Sequence, residues 1–204
     1  MSRQNHNLCR PAQRQFRQCG FSLIEVLVTI VILLIGLLGL AGLQSRAFTA
    51  QLESYQRSQA LILLKDMAGR IEANRKDAAS YITDTTGVGV GGSCPGTATA
   101  AEQDLCDWHN ALMGSAEGGT TTAMIGARGC VFEEVAPVSG TAAIYQVVVA
   151  WQGLNLTAPP DTSTAASPGK CGEGQYKNRD GVVNESLHRA IAIPVSIAAL
   201  AGTP

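Results

Sequence analysis

Gly20-Phe21-Ser22-Leu23-Ile24-Glu25 runs straight into an apolar segment, Val26 to Leu43. Four arginines precede it (Arg3, Arg10, Arg14 and Arg17), with no acidic residue among them. From Phe21 to Leu43 there are 23 residues, and Glu25 is the only ionisable one. About 20 apolar residues carry a helix across a bilayer. The arginines hold their side in the cytoplasm, so everything after Leu43 is expected to be exported.

A secretory signal peptide would have a shorter apolar region, about 7–15 residues, ending at a small-residue cleavage site. Here the run is longer, and Gln44-Ser45-Arg46 continues a helical pattern with no such site. A plain membrane anchor leaves Glu25 unexplained. An acidic residue at mid-membrane costs up to about 2.5–3.5 kcal/mol, less near the interface. Such residues usually have a partner, and this segment supplies none. The six residues from Gly20 to Glu25, with the basic leader before them and the apolar run after, resemble the processing site of type IV prepilins. These are the filament subunits of bacterial pili and related secretion machines. The resemblance implies that a prepilin peptidase cuts between Gly20 and Phe21 and methylates the new Phe21 amine. Glu25 then becomes the fifth residue of the mature chain, and its carboxylate can meet the Phe21 amine of a neighbouring subunit during assembly.

At 204 residues the chain has room for one exported domain after the anchor. Its formal charge of −1 hides an asymmetry. Of 15 basic side chains four leave with the leader, so 11 face 16 acidic ones, a mature charge of −5. An acidic surface repels phosphate backbones, which argues against a nucleic-acid partner. Residues 1–20 are read as leader, 21–43 as the transmembrane and assembly half of a helix, 44–78 as its amphipathic half, and 79–204 as an exported head.

Gly36, Gly39 and Gly42 recur every three residues within the apolar run. Small residues let membrane helices pack closely, and each glycine weakens a helix by about 1 kcal/mol relative to alanine. Many major pilins have a proline near this point, where this chain has Gly42. Beyond the membrane, Phe48, Leu52 and Tyr55 keep a three-to-four spacing, as do Leu61, Leu64, Ala68 and Ile71, with Leu63 and Met67 alongside. Polar residues such as Gln51, Glu53, Arg57, Lys65 and Arg70 occupy mostly the other side. One helix from Phe21 to about Lys76 is expected, roughly 84 Å long, whose second half needs a domain to cover its stripe.

Gly87-Val88-Gly89-Val90-Gly91-Gly92 formally matches G-x-G-x-x-G. No strand–turn–helix unit surrounds it, so it is read as a flexible loop. Ala101 to Met113 is expected to form a short helix with Leu105, Trp108 and Leu112 on one face, Trp108 serving the core. The period then changes to two. Ala127–Val135, Ala142–Gln152 and Leu187–Leu200 are candidate strands, the last at an edge because Pro194 lacks a backbone donor. Thr157 to Gly169 is rich in Ser, Thr, Pro and Ala and is expected to be mobile surface. The fold class is α+β: a small antiparallel sheet of three or four strands laid on a long helix.

Cys9 and Cys19 fall in the leader, which leaves Cys94, Cys106, Cys130 and Cys171 in the exported part. An oxidising compartment favours two disulfides. Three pairings are open. Preferred are Cys94–Cys106, tying the glycine loop to the short helix, and Cys130–Cys171, pinning the long loop to the first strand. The second bridge resembles the loop closed by a disulfide near the C-terminus of many pilins. A metal site of Cys106 and His109 lacks paired C-x-x-C spacing. Glu173, Asn178 and Asp180 lack the ligand spacing of a known calcium loop. No cofactor is implied. Catalysis has little support: the exported histidines are His109 and His188, there is no G-x-S-x-G elbow, and Glu133 and Glu134, adjacent in a strand, are expected on opposite faces.

Arg70-Ile71-Glu72-Ala73-Asn74, Tyr145 to Gly153 and Cys171-Gly172-Glu173-Gly174-Gln175-Tyr176 resemble the minor pilins called PilV, the type IV pilus modification proteins. That resemblance implies a single-pass inner-membrane protein with its head in the periplasm. It is later incorporated with other minor pilins at the pilus tip, where the complex primes the major pilin, supports twitching motility and can carry a tip adhesin. It further implies prepilin peptidase and an inner-membrane assembly platform as partners, and no turnover. A minor pseudopilin of a type II secretion or competence system shares every N-terminal feature. An anchored periplasmic enzyme or receptor would keep its leader and tolerate loss of Glu25.

Overall fold

The computed structural model describes residues 20–114, 124–138 and 141–198. Residues 1–19 of the leader and Leu200 lie outside them. Two compact units divide the chain, Met1–Arg46 and Ala47–Pro204. The first holds the opening of helix α1 (Leu23–Ala73). The Ser22 carbonyl accepts from the Glu25 and Val26 amides at 3.0 and 3.3 Å, which starts the helix. Every described residue of this unit is exposed, Phe21 at 84%. That is the surface of a helix made for an apolar medium or for other chains, not for a core of its own.

In the second unit α1 buries Ala60, Leu64, Met67, Ala68 and Ile71. Asn74 leaves the helix with φ −106°, and a 3-10 turn follows at Arg75–Tyr81. The helix thus stops three residues short of Lys76. Strands β1 (Val88–Gly89), β2 (Arg128–Val135), β3 (Ala143–Gln152) and β4 (His188–Ile197) form one antiparallel four-stranded sheet in sequence order. Pro194 lies on the edge strand β4, opposite Gln146 and exposed, where no ladder donor is needed.

The alternation of β3 feeds two cores. Tyr145, Val147, Val149 and Trp151 pack with Leu64, Met67, Ile71 and Trp108. Val148 and Ala150 pack with Cys130, Phe132, Cys171 and Tyr176, contributed in part by the long segment after β3. A strand covered on both faces reads as a near-continuous apolar run, which is what Val147-Val148-Val149 is. Helix α2 (Ala100–Leu112) starts in a capping box between Thr99 and Glu102 and buries Ala101, Leu105, Trp108 and Leu112.

Four expectations need correction. Phe48, Leu52 and Tyr55 are exposed, as is Leu61, so the domain covers only the later part of the stripe. The glycine stretch is not a free loop: Val88 and Gly89 pair with Gly129 and Arg128. Gly87 and Gly89 have φ of +65° and +100°, and a side chain there would collide with the carbonyls of Gly129 and Ala127. The segment Thr157–Gly169 is mostly exposed, yet Asp161 organises it. Its carboxylate accepts from Ser163 and Ser167, its carbonyl accepts from the Gly169 amide at 2.7 Å, and Ser167 and Gly169 are buried. These hydrogen bonds, Ser163 first, hold the Asp161 carboxyl below its usual range. Finally, the ladder slips between Glu133 and Val135, so simple alternation fails there and both Glu133 and Glu134 are exposed.

Candidate assembly site

Within the first unit the functional candidates are Gly20, Phe21 and Glu25. Gly20 is exposed, and a side chain built on it would meet nothing within 4 Å. Glu25 sits in the first turn of α1, where the helix dipole favours a carboxylate. Among the described residues its carboxylate has no hydrogen-bond or ion-pair partner. Side chains built at Gly36, Gly39 or Gly42 would likewise meet nothing. Among the described residues, nothing packs against or pairs with these side chains. α1 is long and apolar enough to cross a membrane.

The second unit holds the helix by polar ties that sequence reading did not find. Arg70 bridges Asp66 and Asp104 at 3.0 and 2.8 Å and reaches Asp107 at 3.4 Å. Tyr81 donates to Asp104 and accepts from the Asn74 amide. Burial, then Asp104, pushes its hydroxyl up to about 12. Glu53 accepts from the Leu154 and Asn155 amides at 3.2 and 3.0 Å and faces Arg189 at 3.7 Å. The only sequence signal for the first cluster is Arg70 opening the quoted Arg-Ile-Glu-Ala-Asn stretch. Partners so distant along the chain leave no local pattern.

The structure pairs Cys94 with Cys106 and Cys130 with Cys171, with Cα atoms 4.6 and 5.7 Å apart. Cys130 and Cys171 are fully buried. With Cys106 in a disulfide and His109 Nδ1 accepting from the Gly89 amide at 3.0 Å, the metal reading of that pair has no free donors. Asn178 Oδ1 accepts from the Asp180 and Val182 amides, and Glu173 pairs with Lys170. These are a turn contact and a surface ion pair.

His188 is buried, its ring 4.5 Å from that of Tyr176 and its Nδ1 2.8 Å from Glu185. Burial lowers its pKa from 6.5, against the raising effect of Glu185. The unfolded chain then binds a proton that the folded chain refuses. Stability should therefore decline as pH falls below about 6.5. Thermal melts across that range should show the decline, and His188→Gln should flatten it; equal slopes would assign the acid sensitivity to other groups.

Residues 15–41 match the family model described as the prokaryotic N-terminal methylation motif. Residues 42–108 match the model described as Tt1218-like, type IV pilin Tt1218. Over these residues the chain is similar to a type IV pilin and carries the methylation motif. The first match contains Gly20, Phe21 and Glu25; the second runs from the end of the apolar segment through Arg70 to Trp108, so it includes the ion-pair cluster on Asp104. No curated protein and no solved structure matches the chain. The pilin matches, the exposed apolar helix and the small antiparallel sheet agree on an α+β pilin-like fold.

Proposed function

We propose that this chain is a minor pilin of the PilV type, helping to initiate type IV pilus assembly within a tip complex. The carrying observation is Glu25: a carboxylate beside 18 apolar or small residues, exposed, with no partner among the described residues. Prepilin peptidase would cut after Gly20, and the freed, methylated Phe21 amine would supply the missing partner in a neighbouring pilin. Charge pairing in that setting offsets the cost of burying the carboxylate in apolar surroundings. Before assembly the chain would sit in the inner membrane with its head outside; afterwards it would stand among other minor pilins over the major pilin, with room for a tip adhesin. The matched pilin family is structural, and the described polar clusters are committed to holding helices and loops.

Mass analysis of filaments sheared from the cell surface tests this. A minor species beginning at N-methylated Phe21 is expected, and Glu25→Ala should lower its incorporation several-fold without affecting cleavage. Unchanged incorporation would count against the assembly role of Glu25. A processed form found in the envelope alone would move the assignment to a secretion or competence pseudopilus.

A further inference from the structure

Two arms hang from the end of the sheet where β3 finishes and β4 begins. The first, residues 153–157, is tied to the start of β4: the Gly153 amide donates to Leu187 and the Thr157 amide to Ser186, at 2.8 and 2.9 Å. The second is a hairpin, residues 176–184, closed by the Asn184 amide on the Tyr176 carbonyl and held to Gln152 through the Lys177 carbonyl. Both arms are internally well bonded, yet they present large apolar side chains to solvent. Leu156 is 66% exposed, Val182 61% and Val183 46%. Lys177 and Arg179 precede the two valines, Lys177 bridged to Val183 across the hairpin, with Asp180 the one acid at the tip. Neither core needs these side chains.

We propose that this end of the head docks on the lipid surface of the membrane that holds the anchor, before the subunit is assembled. Position along the chain selects lipid as the occupant. Glu53, which grips Leu154 and Asn155, follows the last apolar residue of the membrane run, Leu43, by ten residues of chain. The arms are thus tethered within a short reach of a bilayer, which makes even a weak surface contact effective. Leucine and valine tips suit the acyl boundary, and Lys177 and Arg179 suit lipid phosphates. The proposal rests on residues 21–43 spanning the membrane.

The test uses the full chain at high dilution in phosphatidylethanolamine–phosphatidylglycerol vesicles, with Cys9→Ser and Cys19→Ser and a nitroxide on one introduced cysteine. Label positions are Val182→Cys, Leu156→Cys, Glu134→Cys and Leu33→Cys. Labels at Val182 and Leu156 should show a several-fold higher ratio of oxygen to nickel-chelate collisions than the label at Glu134, and Lys177→Glu with Arg179→Glu should lower that ratio. A fully aqueous ratio at both arms with an embedded Leu33 label overturns the docking alone. An aqueous Leu33 label overturns the membrane anchor and the docking together. High ratios that vanish on further dilution of the protein in lipid would assign the arms to a second copy, against the proposal.

Discussion

Replacing Gly20 with valine is expected to leave residues 1–20 attached while the exported domain folds as before. Among the described residues, a side chain at Gly20 would meet nothing within 4 Å. No described residue requires glycine there, whereas a peptidase that closes on the backbone before Phe21 would. Gly20→Val should therefore abolish processing while the urea midpoint of the head stays unchanged. That combination separates a blocked cut from a misfolded substrate. Normal processing of Gly20→Val would overturn the prepilin reading at its first step, and loss of head stability would show that Gly20 has a structural role the fold does not display.

The residues proposed for processing and assembly were singled out by a linear pattern: Gly20, Phe21 and Glu25 stand within six positions, and an apolar run follows at once. The period of Leu64, Ala68 and Ile71 gave the buried helix face, and the β-branched run of β3 gave the central strand. Periodicity misled at Phe48, Leu52 and Tyr55 because it reports that a stripe exists, not what covers it. It also could not see the glycine stretch as a strand. What fixes Gly87 and Gly89 is the approach of β2, some forty residues further along. Glu53 was invisible for the same reason, its amide partners being 101 and 102 residues away. The disulfides sit between these cases. Four exported cysteines suggested two bridges, but three pairings stayed open until β2 and the long segment were placed side by side.

Trp108→Ala should produce the largest loss of stability in the head. The indole is fully buried, its Nε1 donates to the Leu63 carbonyl of α1 at 3.0 Å, and Gly129 of β2 presses against its ring with no room for a side chain. One residue thus joins α2 to both the long helix and the sheet. Truncating a buried tryptophan costs about 3–5 kcal/mol, a large share of the roughly 5–15 kcal/mol that holds a typical domain. Trp108→Phe keeps most of the apolar contact and drops the hydrogen bond, so its cost should be smaller; the Leu63 carbonyl keeps its intrahelical partner, and the lost bond itself adds about 0.5–1.5 kcal/mol. Urea unfolding of the two variants measures both terms. The Cys94–Cys106 bridge survives in each, so α2 stays attached to the loop before it even where its packing is lost. Amide exchange in α2 should then rise more than in β3. If α2 and β3 lose protection equally, Trp108 holds the whole head together and not α2 alone. If neither variant shifts the urea midpoint, the helix–sheet contact through Trp108 contributes little, and the head is held by the two faces of β3.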